Sequence, residues 1–373
     1  MTPAFWSGKR VFLTGHTGFK GSWLTMWLAS AGATVRGYAL TPPTNPSLFD
    51  LAKVAELCDH HVGDVRDAAA LTRALTEFRP DIVIHMAAQP LVRLSYDQPV
   101  ETYSTNVMGT VNLFEAARRA PSVRAIVNVT TDKCYENREW VWGYRENDPM
   151  GGFDPYSSSK GCAELVTSAY ARSYFSKADG PTLGSGRAGN VIGGGDWAID
   201  RIVPDCIRAL QQKQRIPIRN PQATRPWQHV LEPLSGYLWL ATLLAKPKLA
   251  QCPLENLTAP FNFGPGLEAN RTVAELAAEI LKHWPGKTED RHNPKAAHEA
   301  GLLQLSTDKA HALLRWSPVW KFAENVEHTV NWYRQTQRKS AAAAQQLTAA
   351  QIAQYVARAK QLALPWAAAT PSR

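Results

Sequence analysis

Cysteine is scarce in this chain. The five present, Cys58, Cys134, Cys162, Cys206 and Cys252, are odd in number, widely spaced and never in a C-x-x-C pair, so neither a disulfide framework nor a zinc knuckle organises the fold and no metal site is expected. Reduced thiols and a cytoplasmic location are expected instead. No apolar stretch follows a basic start: the first strand-like run, Lys9-Arg10-Val11-Phe12-Leu13, comes almost at once, so no secretory leader is read. The most apolar later segment, Tyr237 to Ala245, is bounded by Gly236 and Lys246 and falls well short of the ~20 residues a bilayer demands, so no membrane partner is expected. Charge of one sign is not gathered anywhere either. The 41 Lys+Arg exceed the 32 Asp+Glu by nine, but the excess is scattered; it favours anionic ligands and offers no basic stripe with interleaved aromatics, so no nucleic-acid partner is expected.

What is present is a 373-residue chain, 45% apolar and 20% charged, enough for a main core with a smaller lobe. Val11–Leu13 reads as a buried strand, Ser22–Ser30 as a helix and Thr34–Leu40 as a second strand. The rhythm continues through helical Asp67–Phe78, strand Ile82–Ile84, helical Val107–Arg119, strand Ala125–Val129 and a helix over about Ser158–Tyr174. Strands alternating with helices predict an α/β fold, a doubly wound parallel sheet of the Rossmann kind. Past a glycine-rich stretch, Gly184 to Gly195, broken by strand-like Arg187–Val191, the rhythm loosens into a smaller, interleaved C-terminal lobe. Its isolated strands include Ile216–Ile218 and Pro260–Phe263. An Ala/Gln-rich helical tail from about 336 to 373 carries no chemistry of its own and reads as a surface or packing helix.

Directly after the first strand stands Thr14-Gly15-His16-Thr17-Gly18-Phe19-Lys20-Gly21-Ser22. Gly15 permits a tight turn, Gly18 a close approach to a pyrophosphate over the helix N-terminus, and Gly21 close helix-to-strand packing. A dinucleotide cofactor is therefore expected. Asp64, in His61-Val62-Gly63-Asp64-Val65, offers a carboxylate for an adenine amino group, and Met86-Ala87-Ala88 ends the fourth strand with residues small enough for close approach to the ribose and nicotinamide. The second strand ends Gly37-Tyr38-Ala39-Leu40-Thr41 without the acid that takes the ribose hydroxyls of NAD, and Arg36 reads as a solvated strand residue. NAD and NADP both stay open on this evidence.

The fifth strand runs into Thr130-Thr131-Asp132-Lys133-Cys134-Tyr135, placing hydroxyl, carboxylate and ammonium together at the sheet's carboxyl edge. Downstream, Asp154-Pro155-Tyr156-Ser157-Ser158-Ser159-Lys160 sets Tyr156 and Lys160 one helical turn apart, so that the ammonium is expected to lower the phenol's pKa and make it a usable base.

The glycine loop, strand-ending threonine and Y-x-x-x-K together resemble the extended short-chain dehydrogenase/reductase superfamily over nearly the whole chain, to about residue 335. That resemblance implies that Thr131 polarises a sugar hydroxyl, Tyr156 takes its proton, and Lys160 holds the nicotinamide ribose while hydride passes to NAD. It further implies cofactor contacts at Thr17, Phe19, Val65 and Asn106, with residues 1–185 as the NAD-binding domain and 186–335 mainly a nucleotide-sugar lobe. Asp132-Lys133-Cys134-Tyr135-Glu136-Asn137 is similar to the CDP-glucose 4,6-dehydratases, in which Asp132 and Lys133 would serve as acid and base in removing water. Arg187–Ala198 and Arg225–Tyr237 look like further signature runs of that family; Ser158 departs from it, where Asn is frequent. By the same resemblance Gln89, Asn190 and His229 would contact the substrate, and Arg201 and Arg225 its diphosphate. A homodimer or homotetramer pairing helices near Val107–Arg119 and Ser158–Tyr174 is implied. Enzymes acting on UDP-, dTDP- or GDP-linked sugars, and a silent NAD-binding regulator, are the alternatives; the regulator is disfavoured because the reactive residues are all in place.

Overall fold

In the computed structural model, which describes residues 3–175, 180–291, 301–337 and 341–368, the strand-like runs become β1 (Arg10–Thr14), β2 (Thr34–Ala39), β3 (Asp59–Val62), β4 (Ile82–His85), β5 (Ala125–Val129), β6 (Thr182–Ala188) and β7 (Phe261–Phe263). They form one seven-stranded sheet in the order β7-β6-β5-β4-β1-β2-β3, every neighbouring pair parallel. Strand order reverses at β1, which opens a crevice beyond the carboxyl ends of β1 and β4, where open α/β sheets bind ligands. The Thr14 and His85 ends of these strands are in register, and their side chains share a 2.7 Å hydrogen bond.

Helices cover both faces, which is why the central strands read as continuous apolar runs. Along β1 the pleat sends Val11 and Leu13 to one core and Phe12 to the other. The first core receives α1 (Phe19–Ser30) through Trp23 and Trp27; the second receives α2 (Ala68–Phe78) and α3 (Gly109–Arg118) through Leu71, Phe78, Leu113 and Phe114. Helix α4 (Pro155–Ser173) lies on the second face against β5 and β6, and α5 (Leu231–Ala245) on the first. Helix α5 contains the apolar run noted above, and every residue from Leu231 to Leu244 is buried. Among the described residues no helix is long and apolar enough to cross a membrane.

The start of the glycine-rich stretch, residues 184–186, lies instead within strand β6, which is buried throughout; beyond Ala188 only Val191–Ile192 is again strand. A Cβ on Gly186 would lie 2.7 Å from the Tyr237 ring, and one on Gly184 3.0 Å from the Leu257 carbonyl; the missing side chains let α5 press onto the sheet. Short pairs build the remaining lobe: Val191–Ile192 with Gln228–His229, Thr224–Pro226 with Asn270–Thr272, and Ile216–Ile218 with Thr288–Asp290. Strand β7 comes from within that lobe's span and returns to the main sheet beside β6.

After α6 (Phe322–Thr336) the tail forms α7 (Ala341–Gln361), which packs inward. Tyr355 is wholly buried, edge-on to Trp27 of α1 and stacked on Trp366. Its hydroxyl donates to buried Glu232 at 2.6 Å, which also accepts the Val319 and Trp320 amides. Burial raises the Glu232 carboxyl to about 7 against these donors. The folded chain then binds this proton more tightly than the unfolded one, so the contribution is whole below 4.5 and is lost as pH climbs towards 7. Glu232→Gln is expected to remove that slope, roughly 3 kcal/mol, from a plot of stability against pH, whatever its effect on absolute Tm.

Candidate active site

The glycine loop leaves β1 with Gly15 at φ 77°, where a Cβ would lie 2.8 Å from the Ala87 amide; a Cβ on Gly21 would lie 2.1 Å from the Gly15 carbonyl. Side chains are excluded by two backbones in contact. Gly18 caps α1 without any side-chain bond, so the first amides of that helix face outward as an anion cradle. This fits a dinucleotide pyrophosphate. The Thr14 hydroxyl accepts the Met86 and Ala87 amides at 3.1 Å each, fixing the facing loop. The Thr17 hydroxyl donates to the Leu40 carbonyl at 2.8 Å.

Beyond the end of β3, Asp64 accepts hydrogen bonds from Arg66, which hold it below the usual carboxylate range, and it lines a small cleft with Tyr38 and Gly63. Val65 turns its side chain into the second core. Arg36 is less solvated than its sequence suggests: it pairs with Asp59 at 2.6 Å and lies over the Phe78 ring. The space beside Gly37 is filled by the His16 ring, which meets His60 at 2.6 Å; burial first, then the neighbouring histidines, push His16 down to about 3, so it is neutral.

Asn106 occupies a single π-turn, Ser104–Met108. Its amide oxygen accepts the Gln89 amide at 2.9 Å and its nitrogen donates to the Gln89 carbonyl and to Ser159. The Gln89 side chain in turn donates to Thr102 and to the Leu91 carbonyl. Both were expected to touch ligands; the structure engages their polar atoms in bracing the loop after β4, and neither lines the main cleft.

That cleft, about 1180 Å³, is lined by Phe19, Lys20, Thr131, Asp132, Lys133, Tyr156, Asn190, Arg201 and Arg225 among others. Two caps set its floor. Thr131 caps the short turn Asp132–Cys134, accepting the Lys133 amide and donating to Asp132 Oδ1 at 2.9 Å. Asp154 caps α4, accepting the Ser157 amide and hydroxyl, with Pro155 at the first helical position, so Tyr156 falls in the first turn and Lys160 in the next.

Asp132 is 2% exposed and its Oδ2 has no hydrogen-bond partner among the described residues. Burial raises its pKa, opposed by Lys133, Thr131, Arg225 and Lys20, so this carboxyl holds its proton more tightly than an exposed one. Tyr156 departs from expectation. Burial pushes its phenol up to about 12, with the Thr131 hydroxyl, and not Lys160, as the leading opposing influence; in so enclosed a site desolvation outweighs a cation one turn away. Lys160 is itself lowered to about 8 by burial, against the pull of Glu164. Arg201 faces the cleft with Asp196 at 2.9 Å, and Arg225 donates to the Thr224 and Gly301 carbonyls.

His229 does not reach this cleft. It is fully buried, edge-on to Trp23 and Trp320, with its Nδ1 accepting the Leu231 amide at 3.3 Å. A short strand wedged between α1 and α6 makes it a core residue. Its neighbour Trp227 lines the cleft instead.

Two groups passed unnoticed in the sequence. One is Lys20, on the cleft side of the glycine loop. The other is the ion pair of Glu164 and Arg187, 4% and 2% exposed at 2.8 Å, beneath the reactive helix. The four-residue spacing Tyr156, Lys160, Glu164 was the available signal for the latter.

The chain matches a family model described as GDP-mannose 4,6 dehydratase over residues 12–329. It is 52% identical over 338 residues to the CDP-glucose 4,6-dehydratase of Salmonella typhimurium, 88% of this chain and 92% of the relative. It is 26% identical over 341 residues to the dTDP-glucose 4,6-dehydratase of Xanthomonas campestris, 86% and 92% covered. Among solved structures, a dTDP-glucose 4,6-dehydratase from Streptomyces venezuelae with NAD bound superposes with a TM-score of 0.72 at 26% identity, over 87% of this chain and 97% of that one. An epimerase from Methanothermobacter thermautotrophicus, at 24% identity and a TM-score of 0.73 over 90% and 95%, shares the fold.

Proposed function

The chain belongs to the GDP-mannose 4,6 dehydratase family, and from that premise we propose that it converts CDP-glucose to CDP-4-keto-6-deoxyglucose and water, with NAD as its retained cofactor. The observation that carries the dehydratase reading is Asp132, a buried acid with one unpartnered oxygen in the same cleft as Tyr156. Simple oxidation and reduction at one carbon need no such group. The choice of CDP-glucose rests on the 52% identity to the Salmonella enzyme.

The glycine cradle, Asp64, and the backbone at Met86–Ala88 would hold the dinucleotide. The neutral His16–His60 pair and the engaged Arg36 leave no free cation among them for a 2′-phosphate, which favours NAD. When bound, the nicotinamide would supply a hydride acceptor for C4 and a hydride donor for C6. The protein's part is proton handling. Tyr156, acting as the phenolate that the Thr131 hydroxyl stabilises, takes the proton of the C4 hydroxyl. The resulting ketone acidifies C5, whose proton passes to the Lys133 amine; as the C5–H electron pair forms the C5=C6 bond, the C6–O bond breaks and Asp132 gives its proton to the leaving oxygen. Lys133 returns a proton to C5. Asn190, Arg201 and Arg225 would orient the sugar and its diphosphate.

The five thiols, none in a disulfide among the described residues, suit the cytoplasm. Val100, Met108 and Leu165 expose 79%, 52% and 61% of their surfaces on the segment leading into α3 and on α4, and a homodimer would cover them. Leu165→Glu is expected to shift the chain to monomer in gel filtration. Incubation with CDP-, UDP-, dTDP- and GDP-glucose tests the substrate: a 4-keto-6-deoxy product from the CDP sugar alone, without net reduced nicotinamide, is the expected result, and product from another base in its place would overturn the assignment.

A further inference from the structure

Lysine at the start of a helix is out of place on electrostatic grounds, because the first turn carries the positive end of the helix dipole. Lys20 is the second residue of α1, in the loop whose amides form the anion cradle. Its surroundings are worse still for a cation. The charges acting on it include Arg201 and Lys160 as well as Asp132 and Asp196, and burial and Arg201 lower its ammonium to about 8. Among the described residues no hydrogen bond or ion pair ties the ammonium down, and it lines the main cleft. A second orphan faces the same space: Asp132 Oδ2, buried and unpartnered, whose carboxylate form Lys20 favours.

We propose that Lys20 is a positioning residue for the loss of water, supplying the positive charge against which Asp132 becomes a carboxylate when it gives its proton to the C6 oxygen. The inference rests on the 4,6-dehydratase reading. In that step the O–H bond of the Asp132 acid breaks, the C6 oxygen leaves as water, and the new negative charge on Asp132 forms within the field of the Lys20 ammonium. No proton moves to or from Lys20. A charge already in place needs no reorganisation as the carboxylate develops, so it lowers the barrier to elimination and leaves oxidation at C4 unaffected.

The test compares Lys20→Met and Lys20→Arg with the parent enzyme on CDP-glucose. Parent turnover of CDP-glucose establishes the reading on which the inference rests; its absence would count against that reading and not against Lys20. In Lys20→Met, mixing with substrate is expected to build up the near-ultraviolet absorbance of reduced nicotinamide, with product formation slowed about 10- to 100-fold. Lys20→Arg, which keeps the charge, is expected to recover most of the rate. The pH profile adds a readout that a structural role would not move: without the ammonium the Asp132 acid weakens, so the alkaline limb of kcat shifts upward. Denaturing each variant and measuring released dinucleotide separates cofactor loss from slow elimination. Unchanged kinetics in Lys20→Met, or a defect reversed by added NAD, would overturn the proposal, as would an Arg variant as slow as the Met variant.

Discussion

Tyr156→Phe is expected to cut turnover of CDP-glucose by about a thousandfold, with the fold, the thermal transition and the bound dinucleotide unchanged. The size follows from what is removed. The phenol hydroxyl is the only group of Tyr156 that differs from phenylalanine, and the ring stays packed in the first turn of α4, which Asp154 and Pro155 cap independently of that hydroxyl. Burial pushes the phenol up to about 12, so the step depends on groups that stabilise the phenolate before it takes the C4 proton. Thr131 is the leading one within the protein. Both half-reactions begin after that proton transfer, so Tyr156→Phe should show no build-up of reduced nicotinamide. That pattern distinguishes it from a variant at Lys20, where oxidation proceeds and elimination stalls. Mixing each variant with substrate and following nicotinamide absorbance separates the two.

Glu164→Gln is expected to be the most destabilising single change in this region, about 3–5 kcal/mol in urea unfolding. Glu164 is 4% exposed and accepts from Arg187 at 2.8 Å and from Ser185 at 2.9 Å, while Thr130 donates to its other oxygen. Arg187 extends the network to the Tyr135 hydroxyl at 2.7 Å, and Tyr135 to Asn262 of β7 at 2.7 Å. The substitution leaves a guanidinium 2% exposed without its countercharge, and the cost of a buried unpaired charge far exceeds that of one lost hydrogen bond. The network also ties α4 to β5, β6 and β7, so strain there reaches Tyr156 and Lys160. A second change, Arg187→Met, made in the Glu164→Gln background, removes the stranded charge and should restore part of the stability. A double mutant no more stable than the single would mean that lost packing, not the unpaired charge, carries the effect.

Much of the frame could be read from the residues because several local signals agree. The glycine loop of β1 and α1 combines a strand, a close-approach turn and an uncapped helix start, each legible alone. The helix read from about Ser158 starts three residues earlier, at Pro155, where Asp154 and Pro155 set it by cap and proline chemistry. Where the reading failed, tertiary contacts decided. Gly184 and Gly186 look like loop glycines until Tyr237 and Leu257 press against them. His229 has the polarity of a ligand residue, yet the aromatic rings of Trp23 and Trp320 enclose it. Asn106 and Gln89 were recognised as important, but their mutual hydrogen bonds depend on a π-turn that no sequence period reveals. The tail read as packing without a partner; its partner, Glu232, lies more than a hundred residues earlier in the chain. Lys20 was hidden by the motif around it, because the glycines explain the loop so fully that the residue between them draws no notice.

The account depends on one hydride leaving and re-entering the same sugar. CDP-glucose carrying deuterium at C4, turned over by the purified enzyme in ordinary water, should give a product whose new C6 methyl holds that deuterium. Deuterium lost to solvent, or left in reduced nicotinamide and absent from the methyl, would contradict it.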